Sequence, residues 1–379
     1  MQEVKFFVAG DVVNDQCLTG EVCAPALAQI VASADYSVCN FEAPISRAGK
    51  PQPKSGSHLC QRPETLTGLR RQGFDLVLLA NNHIMDFGHQ GLAATMQTAA
   101  EAGLDTVGAG LDFDAAYRPL VKHFGDMKIG IVNACEAQFG VLDYFDRSTK
   151  AGYAWINHHR IDQTILDLRG DCDFVLVFVH AGLENYSIPQ KEWRKRYKHL
   201  CDLGADVVIG THPHLPQGYE THGNSLIFYS LGNFYFDSQN YANSEDRTYS
   251  VLLTLSKKNG FNFEAVYHYK QDGAVHLAEK DKQIDLEWLC HLLGETYQEA
   301  HDAMSLKAYE RIVKKLRFSV NPSFLGRGIM PTLKAGAKRL LGRNPKIDKD
   351  LIQLHLLRNE AYYFAVRHAL EIKARDKYG

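Results

Sequence analysis

Short apolar runs, each closing on a polar or ionisable residue, set the rhythm of the first two-thirds of the chain. Lys5-Phe6-Phe7-Val8-Ala9 runs into Gly10-Asp11, Tyr36-Ser37-Val38-Cys39 into Asn40-Phe41-Glu42, and Leu76-Val77-Leu78-Leu79-Ala80 into Asn81-Asn82-His83-Ile84-Met85-Asp86. Phe174-Val175-Leu176-Val177-Phe178-Val179 ends at His180, and Ala205-Asp206-Val207-Val208-Ile209-Gly210 at Thr211-His212-Pro213-His214. Short apolar runs bounded by turn residues read as buried strands. Gln90 to Ala102 and Gln190 to Leu203 carry the helical period between them. Such alternation predicts a layered α/β domain.

Tyr249 to Leu255, Phe261 to Tyr269 and Ala274 to Ala278 read as three further strands, the last two joined by Lys270-Gln271-Asp272-Gly273, a hairpin signal. From Asp285 the pattern becomes helical. Leu286 to Lys315 reads as one long helix, Asn321-Pro322 and Met330-Pro331 break it, and Asp348 to Lys377 reads as a closing helix. The predicted division is residues 1–284, carrying the strand-end chemistry, and residues 285–379, a helical region with a basic segment. No internal repeat or low-complexity segment interrupts either part.

The polar residues at the strand ends change the picture from fold to chemistry. In open α/β sheets, ligands bind outside the carboxyl ends of the strands. An H-x-H pair there puts two imidazoles on one short loop, where kinked backbone can aim both at a single ion, and Pro213 stiffens that loop by fixing its own φ. A lone strand-end Asp or His is usually a cap or a surface residue, but five in phase point to one site. Glu184, four residues after His180, reads equally as an acceptor behind a ligand histidine or as a solvated loop acid. Asn14 and Asp15 suit a turn or a helix cap better than a ligand role. His58, His89, His158, His159, His199 and His222 lack this context and read as packing or surface residues.

These segments carry a resemblance. Gly10-Asp11, Asn40-Phe41-Glu42, the stretch from Leu79 to Gly110, His180-Ala181-Gly182-Leu183-Glu184, Gly204 through His214, and Tyr229-Ser230-Leu231-Gly232-Asn233-Phe234 together make residues 4 to 240 resemble the CapA-like proteins of capsule and poly-gamma-glutamate synthesis. Those proteins are themselves similar to calcineurin-like metallophosphoesterases and 5′-nucleotidases. The resemblance implies a four-layer sandwich, two mixed sheets between helices, with the strands from Tyr249 onward completing the second sheet. It further implies one or two divalent transition metals (Mn, Fe or Zn). Asp11 and His214 would hold the first, Asn82, His180 and His212 the second, and Glu42 would bridge them. His83 resembles the catalytic histidine and Asp86 the carboxylate that orients it, while Asn40, Glu184 and Asn233 are candidates for the surrounding shell or for substrate contact. In one respect the sequence departs from the pattern: nucleotidase-type sites open on D-x-H, and Asp11-Val12-Val13 puts an apolar side chain in place of the histidine. Glu42 also stands where true phosphoesterases carry the shorter Asp.

Composition narrows the partners. The chain has 379 residues, 45% hydrophobic and 23% charged, and a formal net charge of -2, which excludes a globally nucleic-acid-binding surface and implies none as partner. Eight cysteines without a C-x-x-C pair fit reduced, buried thiols. Met1-Gln2-Glu3-Val4 enters the first strand without a basic or apolar leader pattern, so the expected compartment is cytoplasmic. Arg311, Lys314, Lys315, Arg317, Arg327, Lys334, Lys338, Arg339, Arg343 and Lys346, interleaved with apolar residues, could make peripheral contact with an anionic membrane or a polyanionic glycan, but composition favours a helical subdomain with a solvated basic face. Two function classes remain: a metal-dependent hydrolase of an anionic small molecule or polymer in cell-surface polymer synthesis, favoured by the intact His and Asn set, and a polymer-binding or assembly subunit of that machinery, favoured by Val13.

Overall fold

A computed structural model describes residues 3–45, 48–238, 246–320 and 348–378. The predicted breaks at Asn321-Pro322 and Met330-Pro331, and the basic positions from Arg327 to Lys346, lie outside the described residues. Two compact units divide the chain, one of Met1–Gln52 and His58–Tyr297, the other of Pro53–Ser57 and Gln298–Gly379.

The first unit is built on two mixed sheets. The larger contains β1 (Glu3–Val13), β2 (Tyr36–Phe41), β3 (Leu76–Leu78), β4 (Asp105–Val107), β14 (Asn233–Phe236), β15 (Arg247–Ser256), β16 (Gly260–Gln271) and β17 (Ala274–Leu277). Its order is β17-β16-β15-β1-β2-β3-β4, with β14 also pairing β1. The six-stranded sheet contains β6 (Leu120–Phe124), β7 (Met127–Cys135), β10 (Phe174–His180), β11 (Val207–Thr211), β12 (Tyr219–His222) and β13 (Ser225–Phe228), in the order β12-β13-β11-β10-β7-β6. A small third sheet joins β5 (Ala109–Gly110), β8 (Val141–Leu142) and β9 (Gly152–Ala154).

Alternation along the strands decides the layers. Val8, Val38, Leu76 and Leu78 of one sheet meet Ile131, Phe178, Ile209 and Phe228 of the other in one buried cluster. The opposite face of the larger sheet, with Phe7, Cys39 and Val77, packs on Leu27 and Val31 of α1 (Pro25–Ser33), Leu66 and Leu69 of α2 (Glu64–Arg71) and Leu92 of α3 (Gly88–Glu101). On the outer face of the smaller sheet, α5 (His159–Asp171) covers β7 and β10, and α6 (Lys191–Asp202) covers β11 and β13. The result is the expected sandwich of helices, sheet, sheet and helices. Each Val, Leu, Ile or Phe buried this way contributes about 1.5–3 kcal/mol, so the contact between the sheets fixes the frame on which the site is mounted.

Three expectations need correction. Strands β15 to β17 extend the sheet of β1, not the second sheet: β15 runs antiparallel to β1 from Glu3↔Ser256 to Val8↔Val251. Tyr249, Val251, Leu253 and Leu255 alternate toward the gap between the sheets, and that pattern announces one buried face without naming the sheet. The helix expected from Leu286 to Lys315 is two, α7 (Leu286–His291) and α8 (Tyr297–Val320), because Gly294 closes a turn onto His291 and accepts from Tyr297. The closing helix is also two, Lys349–Arg358 and Glu360–Tyr378. Asn359 leaves the helical conformation and its side chain accepts from Tyr362 N at 2.8 Å, the preferred role of Asn at a helix start. The expected hairpin is present, with Asp272 and Gly273 both at positive φ between Gln271 and Ala274. No helix among the described residues is long and apolar enough to cross a membrane.

Candidate metal centre

The parallel strands of both sheets deliver their polar ends to one place. Asp11 pairs with Asn40 and Asn40 with Leu78 in the larger sheet, while His180 pairs with Thr211 in the smaller. Val38 and Asn40 share one face of β2, Phe178 and His180 one face of β10, and Ile209 and Thr211 one face of β11; each face is the one turned toward the other sheet. Strand β1 reaches the site through an irregular register on both sides of Asp11, a device common beside active sites. Gly10 permits it. A Cβ there would lie 1.9 Å from the Gly232 carbonyl oxygen, which accepts the Asp11 N–H at 3.1 Å.

The H-x-H loop bends as its sequence predicts, and by more than Pro213 alone supplies. His212 and His214 both hold positive φ, 97° and 62°. Such non-glycine conformations cost on the order of 1–3 kcal/mol each and cluster at functional sites. Here they turn alternate side chains of one loop onto the same point.

Around that point the donor atoms form two overlapping groups. His180 Nε2 lies 3.0 Å from His212 Nδ1, 3.2 Å from Asn82 Oδ1 and 3.7 Å from Glu42 Oε1. Donors held about 2.1 Å from one ion in a tetrahedron stand about 3.4 Å apart, so this spacing fits a common ion. Two imidazole nitrogens facing each other at 3.0 Å hold either a shared proton or a shared cation. Asp11, Glu42 and His214 form the second group, with donor atoms mutually within 4.8 Å. Glu42 belongs to both groups.

The surroundings tune these donors. Asn40 Nδ2 donates to Asp11 Oδ1 at 2.7 Å, and the His212 N–H donates to Asp11 Oδ2 at 3.1 Å. Thr211 Oγ1 lies 3.0 Å from His180 Nδ1 and can take its proton, leaving the Nε2 lone pair for an ion. His214 Nδ1 is 2.9 Å from Asn233 Oδ1, which fixes that ring in the same way. Burial pushes the His180 ring well below the ordinary histidine range and the His212 ring down to about 3, although Glu184 works the other way on His212. Both are therefore neutral ligands at any ordinary pH. Burial also pushes Asp11 up, opposed mainly by His214. Neutral imidazoles beside two buried carboxylates are a donor set that a divalent transition ion fits, because its charge offsets the cost of burying the carboxylates.

Beside the donors, His83 Nδ1 meets Asp86 Oδ2 at 2.8 Å. Asp86 is fully buried and also accepts the Leu59 N–H at 2.7 Å, whereas the His83 side chain keeps 14% exposure. The structure thus brings together Asp11, Glu42, Asn82, His180, His212 and His214, with Asn40 and Asn233 directly behind them. Glu184 is half-buried near His212. Asn14 caps a turn instead, accepting from Cys17 N and donating to Thr65 Oγ1 at 2.9 Å. Asp15 accompanies it, its N–H held by Asp237 Oδ1 at 2.6 Å. His158 accepts from Arg160 N at the start of α5, His222 meets Asp202 at 2.7 Å, and His58 Nε2 lies 2.6 Å from the Gln52 carbonyl oxygen.

Sequence reading passes over Glu136 and Gln138, which follow β7. Gln138 Nε2 donates to Glu136 Oε1 at 2.6 Å and lies 3.1 Å from His212 Nε2, while its Oε1 accepts from Asn82 Nδ2 at 3.4 Å. Glu136 Oε2 accepts the Gly182 N–H at 3.0 Å. The signal was present: Met127 to Cys135 is another strand ending on an acid, but Lys128, Gly130 and Asn133 break up its apolar run.

The family model for the bacterial capsule synthesis protein PGA_cap matches residues 7–238. The chain belongs to this family. Every residue of both donor groups falls inside the PGA_cap match. The chain is 30% identical over 212 residues to the capsule biosynthesis protein CapA of Bacillus anthracis, covering 54% of this chain and 51% of that one. It is 32% identical over 241 residues to the PGA biosynthesis protein CapA of Bacillus subtilis, covering 61% and 60%. The chain thus spans little more than half the length of these PGA_cap relatives. Among solved structures, a novel phosphatase from Mycoplasma pneumoniae aligns with a TM-score of 0.45 and 18% identity over 72% of this chain and 95% of that one.

Proposed function

We propose that this chain is a metal-dependent hydrolase of a phosphoester, or of a related anionic ester or amide, in the synthesis of a capsule or another cell-surface polymer. The observation that carries this reading is the meeting of carboxylate, amide and imidazole donors from five strand ends at one point, with the His83–Asp86 pair beside them. One or two ions of Mn, Fe or Zn would be held by Asp11, Glu42 and His214 and by Glu42, Asn82, His180 and His212. When bound, such ions lower the pKa of a shared water and polarise the bond under attack.

The chain's own residues supply the rest. Asp86 accepts a hydrogen bond from the His83 Nδ1–H, which fixes the tautomer and raises the basicity of the ring. His83 is then placed to contact the anionic group or to hand a proton to the leaving oxygen. Asn40, Thr211 and Asn233 hold the ligand side chains in register, and the strained H-x-H loop keeps them there without rearrangement during turnover. The cytoplasmic compartment and a peripheral membrane contact belong to the same proposal; within the described residues, Arg311, Lys314, Lys315 and Arg317 are exposed on α8.

A second reading, a polymer-binding or assembly subunit with a residual metal site, is favoured by one observation. Val13 is fully buried where the first ion would gain an imidazole. Metal analysis of the purified protein and a screen of phosphomonoesters, phosphodiesters and gamma-glutamyl amides separates the two. His83→Ala should abolish hydrolysis while metal content and thermal stability stay nearly unchanged, and His212→Ala should lose metal. If both variants keep full turnover on the best substrate found, the hydrolase reading is wrong.

A further inference from the structure

The second compact unit holds a donor set that the reading above leaves unused. His301 and Asp302 lie near the start of α8, and His368 and Glu371 lie one turn apart on the helix Glu360–Tyr378. His368 Nε2 is 2.6 Å from Asp302 Oδ1, and the His301 and His368 rings meet edge to face with centroids 4.6 Å apart. One nitrogen of each histidine and one oxygen of Asp302 lie within 4.8 Å of one another. Both imidazoles are buried.

The neighbours resemble the outer ring of a metal site more than helix packing. Gln298, one turn before Asp302, donates to the same carboxylate oxygen at 2.6 Å. On the far side of His368, Nδ1 faces Glu371 Oε2 at 3.7 Å, the carboxylate behind a histidine that orients a ligand ring and sharpens its lone pair. Ser305, one turn beyond His301, is fully buried, and among the described residues its hydroxyl has no hydrogen-bond partner. Apolar side chains would pack two helices at lower cost than buried imidazoles and a hydroxyl, because buried polar groups must be satisfied. Two imidazoles and one carboxylate suit Zn²⁺ and leave a fourth position for water; Mg²⁺ and Ca²⁺ call for oxygen donors throughout.

We propose that His301, Asp302 and His368 form a Zn²⁺ site that clips α8 to the helix Glu360–Tyr378, with Glu371 positioning His368. Binding requires the proton between His368 Nε2 and Asp302 to leave, either to solvent or to Nδ1, which faces the Glu371 carboxylate at 3.7 Å. The 2.6 Å pair must also open to a donor separation of about 3.4 Å, a side-chain movement. A helical unit with a small core gains most from such a clip.

The test uses the whole chain with His180→Ala, His212→Ala and His214→Ala, which removes the imidazoles of both strand-end groups, stripped of metal and titrated with Co²⁺ and then Zn²⁺. About one equivalent of Co²⁺ should bind with tetrahedral absorption, be displaced by Zn²⁺, and raise the thermal midpoint of the helical signal. Adding His301→Ala and His368→Ala should remove that binding. Asp302→Asn, which keeps the shape and loses the charge, should weaken it at least tenfold. Should the background variant fail to fold, the same substitutions in the otherwise unmodified chain should lower total bound metal by about one ion. An absence of Co²⁺ binding while the helices remain intact, or binding unchanged without His301 and His368, would show an ordinary hydrogen-bonded histidine pair and overturn the proposal.

Discussion

Val13 closes β1 opposite Phe236, whose ring stands 5.0 Å from that of His214. An ion held beside Asp11 would therefore be bordered by apolar surface where an imidazole would complete its ligands. Under the proposed assignment, that ion has Asp11, Glu42 and His214, while its neighbour has Glu42, Asn82, His180 and His212. Unequal occupancy follows: the purified protein should carry close to one tightly held ion. Val13→His should cost about 1–3 kcal/mol without metal, since it overfills a packed apolar site. With Mn²⁺ or Zn²⁺ it should recover that stability and bind more metal. Elemental analysis that finds two equally retained ions in the unmodified protein would end this account. At this scale most of the candidate site was legible, because chemistry-bearing residues stand at the ends of apolar runs. Glu136 and Gln138 were not, because the polar residues inside β7 hide the run that delivers them.

Elements are legible when their pattern is local and ambiguous when their partner is remote. The hairpin at Asp272-Gly273 needs only two residues able to take positive φ, and it formed where the sequence marks it. The sheet joined by β15 depends on a pairing with β1 that no local pattern specifies. Asn359 divides a segment that is helical on both sides, and its capping bond to Tyr362 is invisible to periodicity. The most demanding element contact is the approach of β1 to the segment before β14. Gly10→Ala would drive a methyl group into the Gly232 carbonyl at 1.9 Å, so the strands must part. We expect a loss of at least about 1–3 kcal/mol and lower metal retention, because the same movement displaces Asp11. Denaturant titration and metal analysis of the variant check both, and a variant as stable and as metal-rich as its parent would refute the coupling.

Across the whole molecule, burial sets the response to acid. His180, His212 and His268 are fully buried; burial brings His212 and His268 down to about 3 and holds His180 well below the ordinary range. Unfolding returns each ring to about 6.5. Below that pH the unfolded chain binds protons that the folded chain refuses, so stability is complete above 6.5 and declines as pH falls toward 3. The slope approaches about 1.4 kcal/mol per pH unit for each ring. Asp11, raised by burial, opposes this as one carboxylate against three rings. Metal-free protein should thus show a clearly lower denaturation midpoint at pH 5 than at pH 7, and a flat or rising profile would contradict the burial of neutral imidazoles.

The position of β1 inside its sheet has a consequence for synthesis. Val8 pairs with Val251 and Asp11 with Asn233, so the strand made early by the ribosome waits for strands made much later. Of the proposed ligands, a nascent chain halfway through this unit offers Asp11, Glu42 and Asn82 alone, oxygen donors that grip a transition ion poorly. The imidazoles of His180, His212 and His214 emerge afterwards. The proposed site therefore cannot assemble around an ion midway through translation, and any metal it takes would be chosen by the pool it meets once the chain has closed on itself.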